Sequence, residues 1–589
     1  MNMRWDLSDI YTSFDSKEYL EDLAKLDEKI EEVKNFANGL NESKEKVADI
    51  LRRYVELESS LEVLSRRLSS YAHLNISVDV NNKEANKYMD ILMSKGAGLA
   101  APSAIFEKWL GQVENLEAIL EKDEFLKEYK FYFMSIKENT MYSLSDREEE
   151  MIAKMRNTGS KAWSKLQGTL TSKLLVDIEI DGEVKKLPLT VVRNMAYDKN
   201  PEVRKKAYEA ELKAYEKINE SIAAALNGIK GEVITECELR GYESPLQKTL
   251  ITSRMDKETL DAMIGAMKEY LPAFHKYFRK KAELLGHENG LPFYDLFAPL
   301  GEVDMTFTYE EAQKFIVDNF RLFSEELSSY AKHAFESNWV DAEPREGKRG
   351  GAFCSNLHFM KQSRFMANYN GSFSNMTTLA HELGHGFHGY CLREQPTLNS
   401  HYPMPIAETA SIFCETIVTN AALKSASKEE AFVILENEIS GAAQVIVDIL
   451  SRYIFETNIF EERKNGSISV SRLKEIMMEA QKEAYGEGLD AEVLHPYMWI
   501  NKSHYYSAGL NFYNFPYAYG LLFTTGLYAE YLNRGETFVA EYKKLLSETG
   551  KNDLVGVAKM MNIDIHSMNF WRNSLKLIEE KIEMFVSMK

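Results

Sequence analysis

The sequence predicts a mainly α-helical protein made of two helical subdomains, with small β elements near residues 176–187 and 351–370. Long segments carry apolar residues at spacings of three and four, which is the period of an amphipathic helix. Only 13 of the 589 residues are proline, against a usual content of about 5%, so helices are seldom interrupted. Alternation of polar and apolar residues, the pattern of a half-buried strand, appears in the two short regions.

Residues 1–195 are predicted to form an N-terminal helical domain with a small hairpin. The pattern from Tyr19 to Tyr71 is helical and carries one apolar stripe. Because this stripe is short, we expect one face of a helical bundle and not a coiled-coil hairpin. The stripe comprises Val47, Ile50, Leu51, Tyr54, Leu57, Leu61, Leu64 and Leu68.

The hairpin is predicted from two alternating runs that flank Asp181-Gly182, a strong signal for a type I′ turn. Helical patterning resumes by Val203. We therefore place the boundary near residues 190–200 and assign residues 196–589 to the second domain.

Two capping boxes predict helix starts in the second domain. Thr308 pairs with Glu311 in one of them, and Ser427 pairs with Glu430 in the other. The long helix that begins after Ser427 is expected to end at Asn465-Gly466.

Composition and charge exclude several classes of function. The formal net charge is -19 and the pI is near 5.3, whereas a nucleic-acid-binding protein normally shows a basic face. The four cysteines form no C-x-x-C pair, so they indicate neither a disulfide framework nor a structural zinc site. The N-terminus lacks the apolar core of a signal peptide and no 18-residue apolar run occurs, so we expect a cytoplasmic protein without a membrane partner.

The stretch from Asn375 to Leu392 contains His381, Glu382 and His385 in the pattern H-E-x-x-H. On a helix, residues four apart share a face, so both imidazoles can bind one zinc ion at roughly 2.0 to 2.1 Å. The Glu382 side chain is offset around the helix, where it can face a water molecule on the ion. This arrangement is typical of a hydrolytic zinc site with one Zn²⁺ per chain. Ser374 or Asn375 is the predicted N-cap.

Three glycines, Gly384, Gly386 and Gly389, interrupt this predicted helix. Each interior glycine costs about 1 kcal/mol relative to alanine. We therefore expect them to provide clearance for a closely packed neighbour, which is either another helix or the backbone of a substrate.

Catalytic zinc usually takes three protein ligands, so a third must lie elsewhere in the chain. Glu408 is the predicted third ligand, because Pro405 marks the start of a new helix just before it. Glu415 lies on the same helical face and is expected to support the site. His388 shares the face of His385 and is an alternative ligand, but we expect it to pack beside the site. The metzincin continuation of the motif is disfavoured, because it requires glycine and histidine where this chain has His388 and Cys391.

Two short alternating runs upstream of the motif, residues 352–358 and 365–370, predict strands. A strand beside a zinc site can hold an extended peptide by main-chain pairing. A purely structural hairpin is the alternative.

Four stretches of the chain resemble the oligoendopeptidase F branch of the thimet oligopeptidase family of zinc metallopeptidases. They are His381-Glu-Leu-Gly-His385-Gly-Phe-His388, Ile406-Ala-Glu408-Thr-Ala-Ser411, Trp5-Asp-Leu-Ser-Asp9-Ile-Tyr11 and Phe365-Met-Ala-Asn-Tyr-Asn-Gly371. Thimet-type members carry proline where this chain has Ala410, which favours the oligoendopeptidase F branch. The resemblance implies two helical subdomains that enclose a deep substrate channel, and endohydrolysis of short oligopeptides. In this reaction Glu382 acts as the general base, taking a proton from the attacking water and passing it to the leaving amine.

A histidine followed by tyrosines near the C-terminal end resembles the segment that closes over zinc in this family. The resemblance makes His504 and Tyr517 the favoured donors to the transition state, with Tyr513 next and Tyr519 last. Tyr513 and Tyr517 would share a helical face, with a bend at Pro516. Packing of these aromatic residues in a core is the alternative.

Two other functions are consistent with the same residues. A zinc exopeptidase, either a carboxypeptidase or a dipeptidase, would need a clamp for a peptide terminus, for which Lys348 and Arg349 are weak candidates. A peptide-binding protein with an inactive metal site would also retain the motif. The sequence leaves the oligomeric state open.

Overall fold

The computed structural model describes residues 3–180, 182–301 and 305–588. The chain forms two compact units, and each is assembled from three segments of the chain. The first unit contains Met1–Ser143, Asp304–Lys424 and Glu530–Ile563, and the second contains Leu144–Val303, Ser425–Ala529 and Asp564–Lys589. The predicted boundary between residues 195 and 196 lies inside the second unit, because the hairpin before it packs on the helix after it.

The first two segments are helical apart from one hairpin. The helices of the first segment are α1 (Lys17–Gly39), α2 (Val47–Val78), α3 (Lys83–Ala97), α4 (Ala100–Gln112), α5 (Leu116–Glu121), α6 (Glu124–Lys127) and α7 (Lys130–Thr140). The second segment contains α8 (Asp146–Thr158), α9 (Ser160–Lys173), β1 (Leu175–Ile180), β2 (Glu183–Pro188), α10 (Leu189–Asn194), α11 (Pro201–Tyr215), α12 (Asn219–Arg240), α13 (Pro245–Thr252) and α14 (Lys257–Leu284).

The remaining segments contain a small sheet among helices. The third segment comprises α15 (Tyr309–Phe323), α16 (Glu325–Glu336), β3 (Val340–Asp341), β4 (Phe353–Leu357), β5 (Gln362–Met366), α17 (Phe373–Leu392), α18 (Met404–Ala407) and α19 (Thr409–Ser425). The rest of the chain comprises α20 (Lys428–Ala443), α21 (Ile449–Arg463), α22 (Val470–Tyr485), α23 (Phe515–Arg534), α24 (Glu536–Glu548), α25 (Leu554–Lys559) and α26 (Met568–Ser587).

The predicted apolar stripe lies on α2 and contributes to two hydrophobic clusters of the first unit. Leu61 and Leu68 are buried in one cluster. Ile50 and Leu51 are buried in the other. The prediction of a helical bundle face is confirmed.

Both predicted β regions form strands. β1 and β2 pair antiparallel, with Val176 opposite Leu187. Asp181, which belongs to the predicted turn, lies outside the described residues. The first upstream run forms β4. The second strand, β5, covers Gln362–Met366 and therefore begins and ends earlier than the predicted run of residues 365–370. β4 and β5 pair antiparallel, and the order in that sheet is β3-β5-β4. β4 therefore lies at an edge of this sheet.

The helix starts predicted in the second domain are confirmed, and the long helix contains one irregular turn. Thr308 and Ser427 both form complete capping boxes. The long helix after Ser427 consists of α20 and α21, which are joined by a π-helical turn at Gln444–Asp448. It ends at Arg463, just before the predicted Asn465-Gly466.

The N-terminal segment anchors β5. Arg364 is buried, and its Nη2 donates to both carboxylate oxygens of Asp9 at 2.6 and 2.7 Å. Its Nε also donates to the carbonyl oxygen of Asp6 at 3.2 Å. This contact fixes the strand whose next residue, Phe365, packs against α17.

Within the described residues, we find no helix with the length and apolar character that crossing a bilayer requires. All four cysteines are free thiols.

Candidate active site

The H-E-x-x-H motif lies in the middle of α17. This helix begins at Phe373, and the Ser372 hydroxyl accepts the backbone N–H of Asn375 as the N-cap. The predicted caps, Ser374 and Asn375, are therefore wrong by two or three residues. The earlier start adds most of a turn before His381.

The structure brings together the three residues predicted to bind metal. The Nε2 atoms of His381 and His385 lie 3.3 and 3.4 Å from Oε2 of Glu408. One donor atom from each residue lies within 4.8 Å of the other two. Two imidazoles and a carboxylate form one of the donor sets of catalytic zinc, so these residues fit such an ion.

Glu408 reaches this cluster from a break between two helices. The sequence predicted it in the first turns of one helix, but it follows the last residue of α18 and precedes the first residue of α19. The Ser411 hydroxyl donates to its Oε2 at 2.8 Å. The break and this hydrogen bond orient the carboxylate.

Each imidazole has a further hydrogen-bond partner. Nδ1 of His381 lies 3.1 Å from Oε2 of Glu415. The His385 ring makes a hydrogen bond with the backbone carbonyl of Ala407. Such partners fix the orientation and tautomer of metal-binding histidines.

Glu382 is buried, with 7% of its surface exposed, and is not a member of the donor cluster. The backbone N–H of Cys354 donates to its carboxylate. Burial raises the pKa of Glu382 to about 7. The side chain thus has the position and environment of a group that exchanges protons.

Neighbouring charges outweigh the effect of burial on the pKa values of His381 and Glu408, but not on that of His385. Burial lowers the pKa of His385 to about 4. Burial has the same effect on His381, but the Glu408 and Glu415 carboxylates outweigh it and raise the His381 pKa to about 10. For Glu408, burial is outweighed by the two histidines, which lower its pKa to about 2. The opposite shifts of His381 and Glu408 reflect the distance of 3.3 Å between the His381 Nε2 atom and a Glu408 carboxylate oxygen.

The three glycines of α17 make room for protein neighbours. A Cβ at Gly384 would stand 2.4 Å from a backbone oxygen of α19. At Gly386 it would meet the ring of Phe365 at 2.4 Å, and at Gly389 the side chain of Asn356 at 2.4 Å. The neighbouring helix expected from the sequence is present at Gly384, where it is α19. At Gly386 and Gly389 the close neighbours include side chains of β5 and β4, which the sequence did not predict.

Asn356 is a site residue that the sequence did not reveal. Its Nδ2 donates to the backbone oxygen of His385 at 3.0 Å, and its Oδ1 accepts from the Ser363 hydroxyl at 2.8 Å. It thereby ties β4 to the motif helix. No spacing signal marks a single asparagine in a strand, so only the pairing of β4 beside α17 identifies it.

His388 packs beside the site, as predicted. It is fully buried, and its Nε2 lies 2.8 Å from the Thr549 hydroxyl. Its ring stacks on Tyr402 at a centroid distance of 4.1 Å.

Lys348 is not placed to clamp a peptide terminus. Its side chain is 0% exposed. Its Nζ donates to the Asp341 carboxylate at 2.7 Å and to the Ala367 backbone oxygen at 2.6 Å. These acceptors hold its ammonium group inside the first unit.

The predicted transition-state donors lie in the second unit. The rings of His504 and Tyr513 stack at 4.9 Å, and the hydroxyls of Tyr513 and Tyr517 are 3.0 Å apart. Tyr513 precedes α23, and Pro516 occupies its first turn instead of forming a bend. Proline is tolerated there because its missing N–H has no helical partner. Tyr519 packs against Trp571 in the core.

Comparisons with known proteins agree with this description. The profile of Peptidase family M3 matches residues 194–577. The profile of Oligopeptidase F matches residues 112–174. An oligoendopeptidase F homolog of Lactococcus lactis is 27% identical over 81% of this chain and 78% of its own length. Oligopeptidase PepF of Bacillus subtilis is 26% identical over 79% of this chain and 69% of its own length.

Solved structures share the fold. A candidate peptidase of Chlamydophila abortus superposes with a TM-score of 0.84 at 21% identity, covering 100% of this chain and 98% of that one. Oligoendopeptidase-F of Enterococcus faecium gives a TM-score of 0.69 at 19% identity, covering 97% and 98%.

The helical fold and the family profiles define a metalloendopeptidase. The chain belongs to peptidase family M3, and it is similar to the oligoendopeptidase F group within it.

Proposed function

We propose that this chain is a zinc-dependent endopeptidase that hydrolyses internal bonds of short oligopeptides. The observation that carries the proposal is the convergence of His381, His385 and Glu408, whose donor atoms lie within 4.8 Å of one another. These three residues would hold the ion. When bound there, zinc lowers the pKa of a water molecule to about 7 and polarises the substrate carbonyl.

Glu382 is the proposed general base. Its carboxylate lies next to the ligand cluster on the same helix, and the Cys354 N–H orients it. It accepts a proton from the attacking water as the water oxygen bonds to the amide carbon. It then donates this proton to the amine nitrogen as the peptide bond breaks.

Three aromatic side chains are the proposed donors to the developing oxyanion. His504, Tyr513 and Tyr517 are in contact with one another through ring stacking and the two hydroxyls. A positioned donor of this kind contributes about 2.7 to 4 kcal/mol in other hydrolases. Tyr517 and His504 remain the favoured donors, with Tyr513 next.

Oligopeptide substrates are supported by the names of the relatives and by the strand beside the site. Gly351 and Ala352, which precede β4, line a pocket of about 510 Å³ together with His381 and Glu382. Because β4 is an edge strand, its outer backbone groups suit pairing with an extended peptide. A cytoplasmic location stays part of the proposal and accords with four free thiols.

One experiment tests the proposal. We expect purified protein to contain about one zinc per chain and to cut an internally quenched peptide at an internal bond, as mass spectrometry of the products would show. Native serum albumin should survive the same treatment. Removal of single terminal residues would favour an exopeptidase. Zinc binding without any cleavage would instead favour a peptide-binding protein.

A further inference from the structure

A buried ion pair lies inside the second unit. Lys230 of α12 and Glu456 of α21 are 1% and 3% exposed, and Lys230 Nζ donates to Glu456 Oε1 at 2.7 Å. Such a pair often stabilises a fold no better than apolar residues of the same volume, because both charges lose their hydration. Its directional hydrogen bonds are what apolar residues cannot reproduce.

Both ions also bond to two consecutive residues of the loop before α23. Lys230 Nζ donates to Asn511 Oδ1 at 3.0 Å. Glu456 Oε2 accepts the backbone N–H of Phe512 at 3.0 Å. The Thr249 hydroxyl adds a hydrogen bond to the Asn511 backbone oxygen at 2.8 Å. The loop is thus held through one side chain and two backbone groups.

Phe512 has an unusual backbone conformation, with φ at +52°. Side chains other than glycine rarely adopt this region, and such a residue persists where its surroundings enforce it. Here the Glu456 carboxylate holds the N–H, and the Phe512 ring packs against Tyr453 and Phe460 at 5.6 Å each. The next residue is Tyr513, so this turn sets where the Tyr513 ring lies.

We propose that Lys230 and Glu456 are positioning residues that fix the loop carrying Tyr513, and that they thereby hold Tyr513 in its arrangement with His504 and Tyr517. The catalytic part rests on the proposed function, in which these three side chains stabilise the transition state. Lys230 and Glu456 act only through the loop and do not contact the substrate.

The test compares two ion pairs in the full-length, zinc-loaded protein. One variant combines Lys230→Met with Glu456→Leu. Its matched control combines Lys281→Met with Glu436→Leu, since these residues are 1% and 4% exposed and lie in the same unit. Lys281 Nζ donates to Glu436 Oε1 at 2.7 Å, and the same oxygen accepts from the Tyr277 hydroxyl. The readouts are hydrogen–deuterium exchange of residues 505–515 and steady-state cleavage of a quenched peptide.

We expect exchange in residues 505–515 to rise about tenfold or more in the first variant only. Its kcat should fall about 10- to 100-fold, with KM and zinc content unchanged, because the lost order affects only the transition state. The control should change neither exchange in this loop nor kcat. If the first variant does not fold, Asn511→Ala removes the tie between Lys230 and the loop and is measured in the same way.

Unchanged exchange in residues 505–515 would overturn the proposal. The proposal would also be overturned if the first variant kept the wild-type kcat although the single substitution Tyr513→Phe lowered it. A third outcome separates this proposal from the proposed function. Exchange could rise while kcat stays at the wild-type value in the ion-pair variant and in each of Tyr513→Phe, Tyr517→Phe and His504→Ala. The ion pair would then still anchor the loop, but the proposed role of these three side chains as donors would be wrong.

Discussion

Nδ1 of His381 lies 3.1 Å from Oε2 of Glu415, a residue 34 positions further along the chain. Since His381 Nε2 faces Glu408, both nitrogens of this ring are bound to carboxylates. Glu415 therefore sets the orientation of the ring and increases its basicity as a ligand.

We expect Glu415→Ala to lower zinc affinity about 10- to 100-fold, because His381 loses the partner that orients it. Competition with a chelator would measure the change. Thr416→Ala, at the next position on α19, should leave affinity unchanged, since its hydroxyl donates to the Ile412 backbone oxygen of the same helix. Equal affinities in the two variants would mean that Glu415 does not support the site.

Glu382→Gln should retain about one zinc per chain and lose nearly all turnover. The amide keeps the shape of the carboxylate but cannot accept the proton of the attacking water. Metal analysis and peptide cleavage on the same preparation would separate the two effects. Turnover close to that of the wild-type protein would rule out Glu382 as the base.

Gly384→Ala should destabilise the first unit and weaken metal binding, because its Cβ would overlap the backbone oxygen of Ala410 at 2.4 Å. Backbone atoms cannot move aside as a flexible side chain can, so α17 and α19 must separate. The matched control is Gly441→Ala in α20, where the added methyl meets nothing within 4 Å. That change should raise stability by up to about 1 kcal/mol through helix propensity. Thermal unfolding of both variants is the measurement, and a similar shift in both would show that the close approach at Gly384 is unimportant.

Local sequence patterns predicted many of the helices and the metal-binding motif. Features that depend on packing between distant segments were not predicted. The H-E-x-x-H spacing and the α2 stripe are periodic within one helix, so the sequence alone reveals them. Which segments make up each of the two units was not predictable in this way, because each unit joins three distant segments. Asn356 was missed for the same reason, since its role depends on β4 lying beside α17.

The segment that carries Tyr513 and Tyr517 also shows what spacing in the sequence could not predict. Spacing predicted that Tyr513 and Tyr517 share a helical face, yet Tyr513 precedes α23. Their hydroxyls still approach to 3.0 Å. Phe512, the residue before Tyr513, has a positive φ, and its N–H donates to Glu456. This contact joins residues 56 positions apart, so the local sequence does not encode it.

Tyr517→Phe should lower kcat about 10²- to 10³-fold, with little change in KM or zinc content, because the lost hydrogen bond forms mainly in the transition state. Tyr513→Phe is the paired test. Since the two hydroxyls are 3.0 Å apart, one can donate to the other while the second donates to the substrate. If Tyr517 is the donor, Tyr513→Phe should have a smaller effect, because it removes only the partner that orients the Tyr517 hydroxyl. The reverse order would make Tyr513 the donor, and full kcat in both variants would place the donor elsewhere in the chain.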